Sequence, residues 1–320
     1  LIVNKKDFSL SASFNIGFNK NRVEKFKNGE SNYKTYSSKW NGNSAAPFDD
    51  YIIREGEAVG QMYGYITGGM YTFDDFDYIG TGTYPYRLKG DTDGSKTEAA
   101  ASLIGAKYFG PGSLKLVDKD GNIATSTDAK TVIGNANPDL IGGFNLTARY
   151  KGFDLSAFFN FSIGNDVYNA NKIDNSCYSG SRKYNNLVEE MKNRFTYIDP
   201  ATGYLAYNDP VRLAEINKNA TIWSPYMTTA VLHSWAVEDG SFLRFNNLTL
   251  GYTFPKRWVK KLGLTNLRIY GTVYNVCVIT GYSGFDPEVS TRNSTAMTPG
   301  VDYSAYPKSR SFIGGVNVSF

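Results

Sequence analysis

The chain has 320 residues and a net charge of +4, and its 34 Lys and Arg residues are scattered rather than gathered into a stripe. That distribution excludes the electrostatic footprint of a nucleic-acid binder, and the lack of any run of about 18 apolar residues excludes a transmembrane helix. Aromatic residues make up 15% of the chain and glycine occurs 32 times, a composition that suits strands and turns.

The chain opens "LIVNKKDFSL", without a start methionine and as if cut from something longer, so it reads as the C-terminal part of a larger protein. "DFSLSASFNIGFN" then alternates: Phe8, Leu10, Ala12, Phe14, Ile16 and Phe18 share one face, and Ser9, Ser11, Ser13, Asn15 and Gly17 the other. That period of two specifies a strand. Weaker strand signals lie near residues 51–66. "DLIGGFNLTARY" sets Leu140, Phe144, Leu146, Ala148 and Tyr150 against Gly143, Asn145, Thr147 and Arg149. "FDLSAFFNFSIG" sets Phe153, Leu155, Ala157, Phe159, Phe161 and Ile163 against Asp154, Ser156, Asn160 and Ser162. "NNLTLGYTF" and "NLRIYGTVYN" continue the series, with Leu248, Leu250, Tyr252 and Phe254, then Leu267, Ile269 and Val273, on the apolar side. In "SFIGGVNVSF", Phe312, Gly314, Val316, Val318 and Phe320 share the last apolar face. The count is six strands, or seven to eight with the signals near 51–66.

Each run is about ten residues long, the length of a strand crossing a bilayer at a tilt near 45°. Strands of soluble sandwiches also alternate but are nearer five or six residues. The connections are lopsided. Tyr150–Phe153 and Pro255–Thr265 are short links, whereas about 164–240 and 281–308 are long. Short turns at one end and long loops at the other are the pattern of an outer-membrane barrel. The short links are then periplasmic and the long segments extracellular. Phe320 ends the last strand at the periplasmic rim, where a terminal aromatic fits the interfacial girdle.

Little in the chain points to catalysis or metal binding. His233 is the only histidine, so no histidine-rich metal site is available and no Ser/His/Asp triad assembles around it. "LVDKDGNIATSTD" admits a calcium-loop register with Gly121 in the sixth place, Asp118 in the third and Asp120 in the fifth. Leu116 and Thr127 then fill the places that want carboxylates, which makes an Asp-Gly turn the better reading, with Ca2+ as the alternative. Asp74, Asp75 and Asp77 beside Phe73 and Phe76 read as a solvated loop, and no phosphate-binding glycine loop occurs. No cofactor and no enzyme are expected. Cys177 and Cys277 are the two cysteines; two isolated cysteines are more often unpaired, and a disulfide between them, conceivable in an oxidising compartment, is the alternative. The 164–240 segment carries Tyr178, Tyr184, Trp223, Tyr226, His233 and Trp235, aromatic faces of the kind that stack on sugar rings or pack peptide side chains. Tyr282, Phe285, Asp286 and Glu288 lie in the next long segment, where the two carboxylates either tie the loop down or face a ligand.

From Ser241 the sequence reads "SFLRFNNLTLGYTFPKRWVKKLGLTNLRIYGTVYNVCVITGYSGFDPEVS". This stretch resembles the SusC/RagA-like TonB-dependent outer-membrane transporters of Bacteroidetes. The residues that carry the resemblance are Ser241–Arg244, Leu248, Leu250–Tyr252, Pro255, Leu262–Gly263, Leu267–Tyr270, Asn275 and Thr280–Glu288. "GEAVGQMYGY", "PGSLKLVDKDG" and "IGNANPDLIGGF" fit the same family in order. The family's plug, its TonB-contacting segment and its earlier strands have no counterpart here. The resemblance therefore implies an all-β fold, the C-terminal portion of an antiparallel transmembrane barrel of about 22 strands with long extracellular loops. It implies TonB-dependent import of peptides or glycans across the outer membrane. It also implies a SusD/RagB-like lipoprotein lid, energy from the TonB complex through the plug, and a dimer of transporter–lid pairs. Phe320 resembles the family's C-terminal assembly signal. A passive porin, a siderophore receptor, a structural or adhesion barrel, and a soluble β-rich carbohydrate-binding protein are the competing readings.

Overall fold

The computed structural model describes residues 2–27, 29–40, 49–178, 186–290 and 296–320. Tyr184 lies outside these residues. Seven strands form one sheet: β1 (Val3–Lys5), β2 (Phe8–Gly17), β3 (Leu140–Tyr150), β4 (Phe153–Ile163), β5 (Phe242–Thr253), β6 (Asn266–Thr280) and β7 (Ser311–Ser319). They lie side by side in chain order and every neighbouring pair is antiparallel. Among the described residues no helix is long and apolar enough to cross a membrane.

Strands β2 to β7 each contain between 9 and 15 residues. An 11-residue strand such as β4 rises about 36 Å along its own axis. Tilted near 45°, it spans about 25 Å, the height of the apolar band of an outer-membrane barrel. The connections alternate in length around the sheet. Residues 6–7, 151–152 and 254–265 are the links at one end; 18–139, 164–241 and 281–310 are the excursions at the other.

Two features depart from the sequence reading. The segment near 51–66 supplies no wall strand. Tyr51–Arg54 and Gln61–Gly64 belong to a separate four-stranded sheet with Tyr33–Tyr36 and Thr131–Asn135. Tyr51, Ile52 and Ile53 are consecutive and all buried, because both faces of that strand are covered. Residues 18–139 therefore form a third long excursion.

The wall strands also run further than their alternation suggests. β5 begins at Phe242 and β6 continues to Thr280. Between Phe158/Phe159 on β4 and their partners, β5 carries one extra residue, Asn246, and β6 carries more still at Asn275 and Val276. Asn275 has φ 50°, the left-handed region, at the centre of this bulge. A bulge shifts the two-residue phase, so a strict pattern search stops there.

The three excursions pack together into a cap with its own core. Trp40, Tyr51, Tyr65, Tyr71, Tyr86, Phe109, Tyr168, Tyr197 and Trp223 are all buried in it. Several polar tips are satisfied locally: Tyr197 Oη donates to Pro111 O at 2.9 Å, Tyr207 Oη to Phe109 O at 2.6 Å, and Trp40 Nε1 to Tyr168 Oη at 2.6 Å, whereas Tyr65 Oη, Tyr86 Oη and Trp223 Nε1 are buried without a hydrogen-bond partner among the described residues. Buried Tyr and Trp usually find such partners. Gly112, at φ 83°, brings the backbone against the Phe195 ring, where a Cβ would lie 2.1 Å from a ring carbon. A short sheet ties two excursions: Asp166–Asn169 pairs antiparallel with Val237–Asp239 and parallel with Val301–Asp302. The conceivable disulfide does not form. Cys177 is a free buried thiol of the cap and Cys277 a free exposed thiol of β6. Burial pushes the Cys177 thiol up to about 12.

Candidate functional site

The register turns the alternating pattern into two faces. One apolar row runs Phe8, Tyr150, Phe153, Tyr252, Ile269, Val316 across six strands. A second runs Phe14, Phe144, Phe159, Phe245, Cys277. In it the rings of Phe144, Phe159 and Phe245 stack in series, with centroids 4.5 Å and 4.2 Å apart and planes within 13° of parallel. This face carries no covering layer: Phe14 is 63% exposed, Leu250 52%, Phe153 51% and Ile163 47%. Water does not favour such a surface on an extended sheet; hydrocarbon does.

The opposite face is polar and cross-linked. The Arg268 guanidinium grips the Asp154 carboxylate with two bonds, Nε to Oδ1 at 2.9 Å and Nη2 to Oδ2 at 2.5 Å, passing over the strand between them. That strand holds Gly251, where a Cβ would sit 2.4 Å from Arg268 Nη2 and 2.7 Å from the Asp154 oxygens. The glycine clears the path of the pair. Thr249 and Thr272 hydroxyls meet at 2.9 Å on the same face. Towards the cap, a hollow at the upper end of the sheet is lined by Asn15, Asn160, Ser162 and Glu288 and also by Ile16, Ile141, Phe158, Phe161 and Phe242, so it draws on both faces. Amides and hydroxyls beside these apolar side chains can hydrogen-bond and pack an oligomeric solute.

The cap is fastened to the wall by Arg244, which is 2% exposed. Its Nη2 donates to Asp286 Oδ1 at 2.5 Å and its Nη1 to Asn275 Oδ1 at 2.8 Å. Its Nε lies 3.2 Å from Glu288 Oε2, close enough for charge attraction though not aligned as a hydrogen bond. Glu288 is also paired with Lys308. Asn275 Nδ2 donates to Lys308 O at 2.8 Å, so the bulge residue holds both strands of the excursion. Sequence reasoning met Arg244 and Asn275 only as parts of a familiar stretch, since spacing gives no sign of a pairing across 42 residues.

The remaining loop residues fall into two groups. Trp223, His233, Tyr282 and Asp286 are buried within the cap, and Tyr226 and Trp235 are half-buried. Phe285 (77% exposed) and Glu288 reach solvent. Buried side chains present no surface to a ligand in this conformation. Tyr282 Oη donates to Asp302 Oδ2 at 2.6 Å. Trp235 lies under the Lys172 ammonium, 4.2 Å from the ring centre, and Lys172 pairs with Glu238 at 3.3 Å. Glu238 in turn accepts from Ser283 N at 2.9 Å and Oγ at 2.8 Å.

His233 Nδ1 lies 2.8 Å from Thr67 Oγ1. That oxygen accepts from Trp235 N and Ser234 Oγ, so its own proton goes to Nδ1. Burial first, and the Lys172 charge second, push the imidazole down to about 3. His233 is thus a neutral structural group.

Asp118 is committed to its turn: Oδ1 accepts from Asp120 N and Asn122 N, both at 2.9 Å, and Gly121 N donates to Asp118 O. Among the described residues no group of three or more His, Cys, Asp or Glu side chains is placed to hold a metal ion, and Asp118 with Asp120 is not such a group. Asp75 of the acidic cluster accepts from Lys115 Nζ at 2.8 Å and closes its own turn with Thr72.

A meandering antiparallel wall, apolar outside and polar inside, with long excursions at one end only, defines a piece of a transmembrane β-barrel. No family model matches the chain. It is 31% identical over 327 residues to the TonB-dependent receptor P3 of Formosa agariphila, an alignment covering 99% of this chain and 27% of that protein. It is 24% identical over 322 residues to the TonB-dependent receptor SusC of Bacteroides thetaiotaomicron, covering 98% and 25%. The structure of the RagAB peptide transporter superposes on all of this chain and 28% of its own with a TM-score of 0.65 at 22% identity, a likeness of fold. Over nearly its whole length the chain is thus similar to TonB-dependent receptors, SusC among them. It spans about a quarter of the length of the curated relatives it matches. Those relatives are receptors and transporters rather than enzymes.

Proposed function

We propose that this chain is the C-terminal part of the barrel wall of a TonB-dependent importer in the bacterial outer membrane, which takes up oligomeric nutrients, peptides or glycans. The observation that carries this reading is the register itself, which puts an uncovered apolar face and a hydrogen-bonded polar face on the two sides of one bilayer-length sheet. The polar face is the lumen wall, and the amide- and phenyl-lined hollow below Glu288 contributes to the solute path. Asp286 and Glu288 hold the excursion to the wall, while Phe285 stands out towards the ligand and the lid.

The chain's share of its relatives' length supports a larger protein with further strands, a plug and a TonB contact. Both outer edges of the seven-stranded sheet, β1 and β7, need those strands, because an open edge in hydrocarbon leaves backbone groups unsatisfied. A SusD/RagB-like lipoprotein closes the mouth as a lid, and transporter–lid pairs associate as dimers. Phe320 serves as the assembly signal at the end of β7. Mass spectrometry of ligand co-purified with the intact transporter–lid complex tests the cargo. Oligopeptides or oligosaccharides in the complex support import, and an empty complex that conducts ions freely without a lid favours a passive pore.

A further inference from the structure

We propose that the short-link rim of this wall is a binding surface for anionic phospholipid headgroups. The proposal rests on the reading of the sheet as a membrane wall. The three short links, residues 6–7, 151–152 and 254–265, contain Lys6, Lys151, Lys256, Arg257, Lys260 and Lys261 and a single carboxylate, Asp7. The net charge of these links, +5 from six cations and one carboxylate, exceeds the +4 of the whole chain, so the other residues sum to −1 and the excess positive charge lies at this rim even though most Lys and Arg residues are elsewhere. All six are exposed, and among the described residues none is in an ion pair with a carboxylate.

Their position relative to the apolar face is what selects lipid. A run of rings descends the outer face to the rim: Phe153 to Tyr252 at 4.6 Å, Tyr252 to Phe254 at 5.0 Å, and Phe254 to Trp258 at 6.5 Å. Tyr150 and Trp258 are both 51% exposed. Aromatic rings of this kind mark the level where hydrocarbon gives way to headgroups. The cations begin at that level. Lys151 Nζ lies 5.3 Å from the Tyr150 ring centre, and the Arg257 guanidinium 5.9 Å from that of Trp258. In the 254–265 link, Val259 is buried against the barrel end while Trp258 and Leu262 stay exposed among Lys256, Arg257, Lys260 and Lys261. An exposed indole and leucine beside four cations match a surface that offers acyl chain and phosphate together. A soluble anion offers only the second. Each cation near an anionic membrane surface contributes about a fivefold preference.

The test is native mass spectrometry of the full-length receptor in detergent, titrated with dioleoyl-phosphatidylglycerol or dioleoyl-phosphatidylcholine. The wild type should retain the anionic dioleoyl-phosphatidylglycerol at least about tenfold better, and raised salt should erode that preference. The variant K256Q/R257Q/K260Q/K261Q should lose it while still migrating as a heat-modifiable barrel; the charge-keeping variant K256R/R257K/K260R/K261R should keep it. Equal retention of both lipids by the wild type, or an unchanged preference in the glutamine variant, overturns the proposal, as does tight capture of inorganic phosphate in place of lipid. Should the glutamine variant fail to fold, the single variant K261Q and the salt dependence of the wild type decide in the same way. A wild-type receptor that never forms a heat-modifiable barrel contradicts the wall itself, a different failure from a wall without lipid preference.

Discussion

Arg244 on the wall and Asp286 in the 281–310 excursion are joined by a 2.5 Å bond, and the side chain of each is at most 6% exposed. Removing one partner leaves the other as an uncompensated buried charge, whereas replacing both leaves none. Arg244→Met in the full-length receptor should therefore lower stability by roughly 3–5 kcal/mol and expose the excursion to protease. Arg244→Met with Asp286→Leu should recover most of that loss. Thermal melts and limited proteolysis read both effects, and a double variant no better than the single one would contradict the pairing.

Gly251 lies directly beneath the Arg268–Asp154 bridge. Gly251→Ala should push the two side chains apart and cost about 1–3 kcal/mol. The same change in a background of Arg268→Ala should cost much less, because the clash partner is gone. Denaturant midpoints for the four proteins of this cycle give the coupling, and additive losses would refute it.

His233 binds no proton in the folded cap until the pH nears 3, whereas in an unfolded chain it protonates near 6.5. Its folded pKa is depressed, so its contribution to stability is complete above about pH 6.5 and is lost as the pH falls through the window from 6.5 towards 3. The slope is at most about 1.4 kcal/mol per pH unit. Asp50 acts in the opposite sense over part of that range. Burial raises its carboxyl to about 6, above the unfolded value of about 3.9, so stability from this group falls as the pH rises between the two. His233→Gln should flatten the acid limb of the cap's stability curve, as read by hydrogen exchange at residues 223–237. An unchanged limb would assign the acid sensitivity elsewhere.

Phe159 lies mid-strand on the stacked row of the apolar face, and Ser156 on the polar face of the same strand. Phe159→Arg should cost about 2–4 kcal/mol in a bilayer and impair assembly, and Ser156→Arg far less. Equal costs in lipid vesicles would mean that the two faces see the same solvent.

The wall was legible because lipid and lumen impose opposite chemistry on successive residues. From Phe8 to Gly17 and from Phe153 to Ile163 the side chains report their face, with Phe158, an aromatic on the polar side, as the exception, and the register agrees residue by residue. The reading failed where that rule lapses. At Asn246 and Asn275 a bulge resets the phase. In Tyr51–Ile53 both faces are covered, and a buried cap strand looks like a weak wall strand. The favoured expectation that the two isolated cysteines stay unpaired agrees with the structure, since one belongs to the cap core and the other to the lipid face. The aromatic loop residues were visible as a group, but composition does not separate those that build the cap, such as Trp223 and His233, from those left exposed, such as Phe285. Arg244 and Asp286 meet only through the fold.

The most direct measurement is the accessibility of nitroxide labels placed one at a time from residue 154 to 161 of the full-length receptor in outer-membrane vesicles. The account predicts a two-residue rhythm: labels at 155, 157, 159 and 161 relax with dissolved oxygen, and those at 154, 156, 158 and 160 with a water-soluble nickel chelate. A strand whose labels are shielded from both reagents on its apolar side, as in the core of a water-soluble protein, would contradict it.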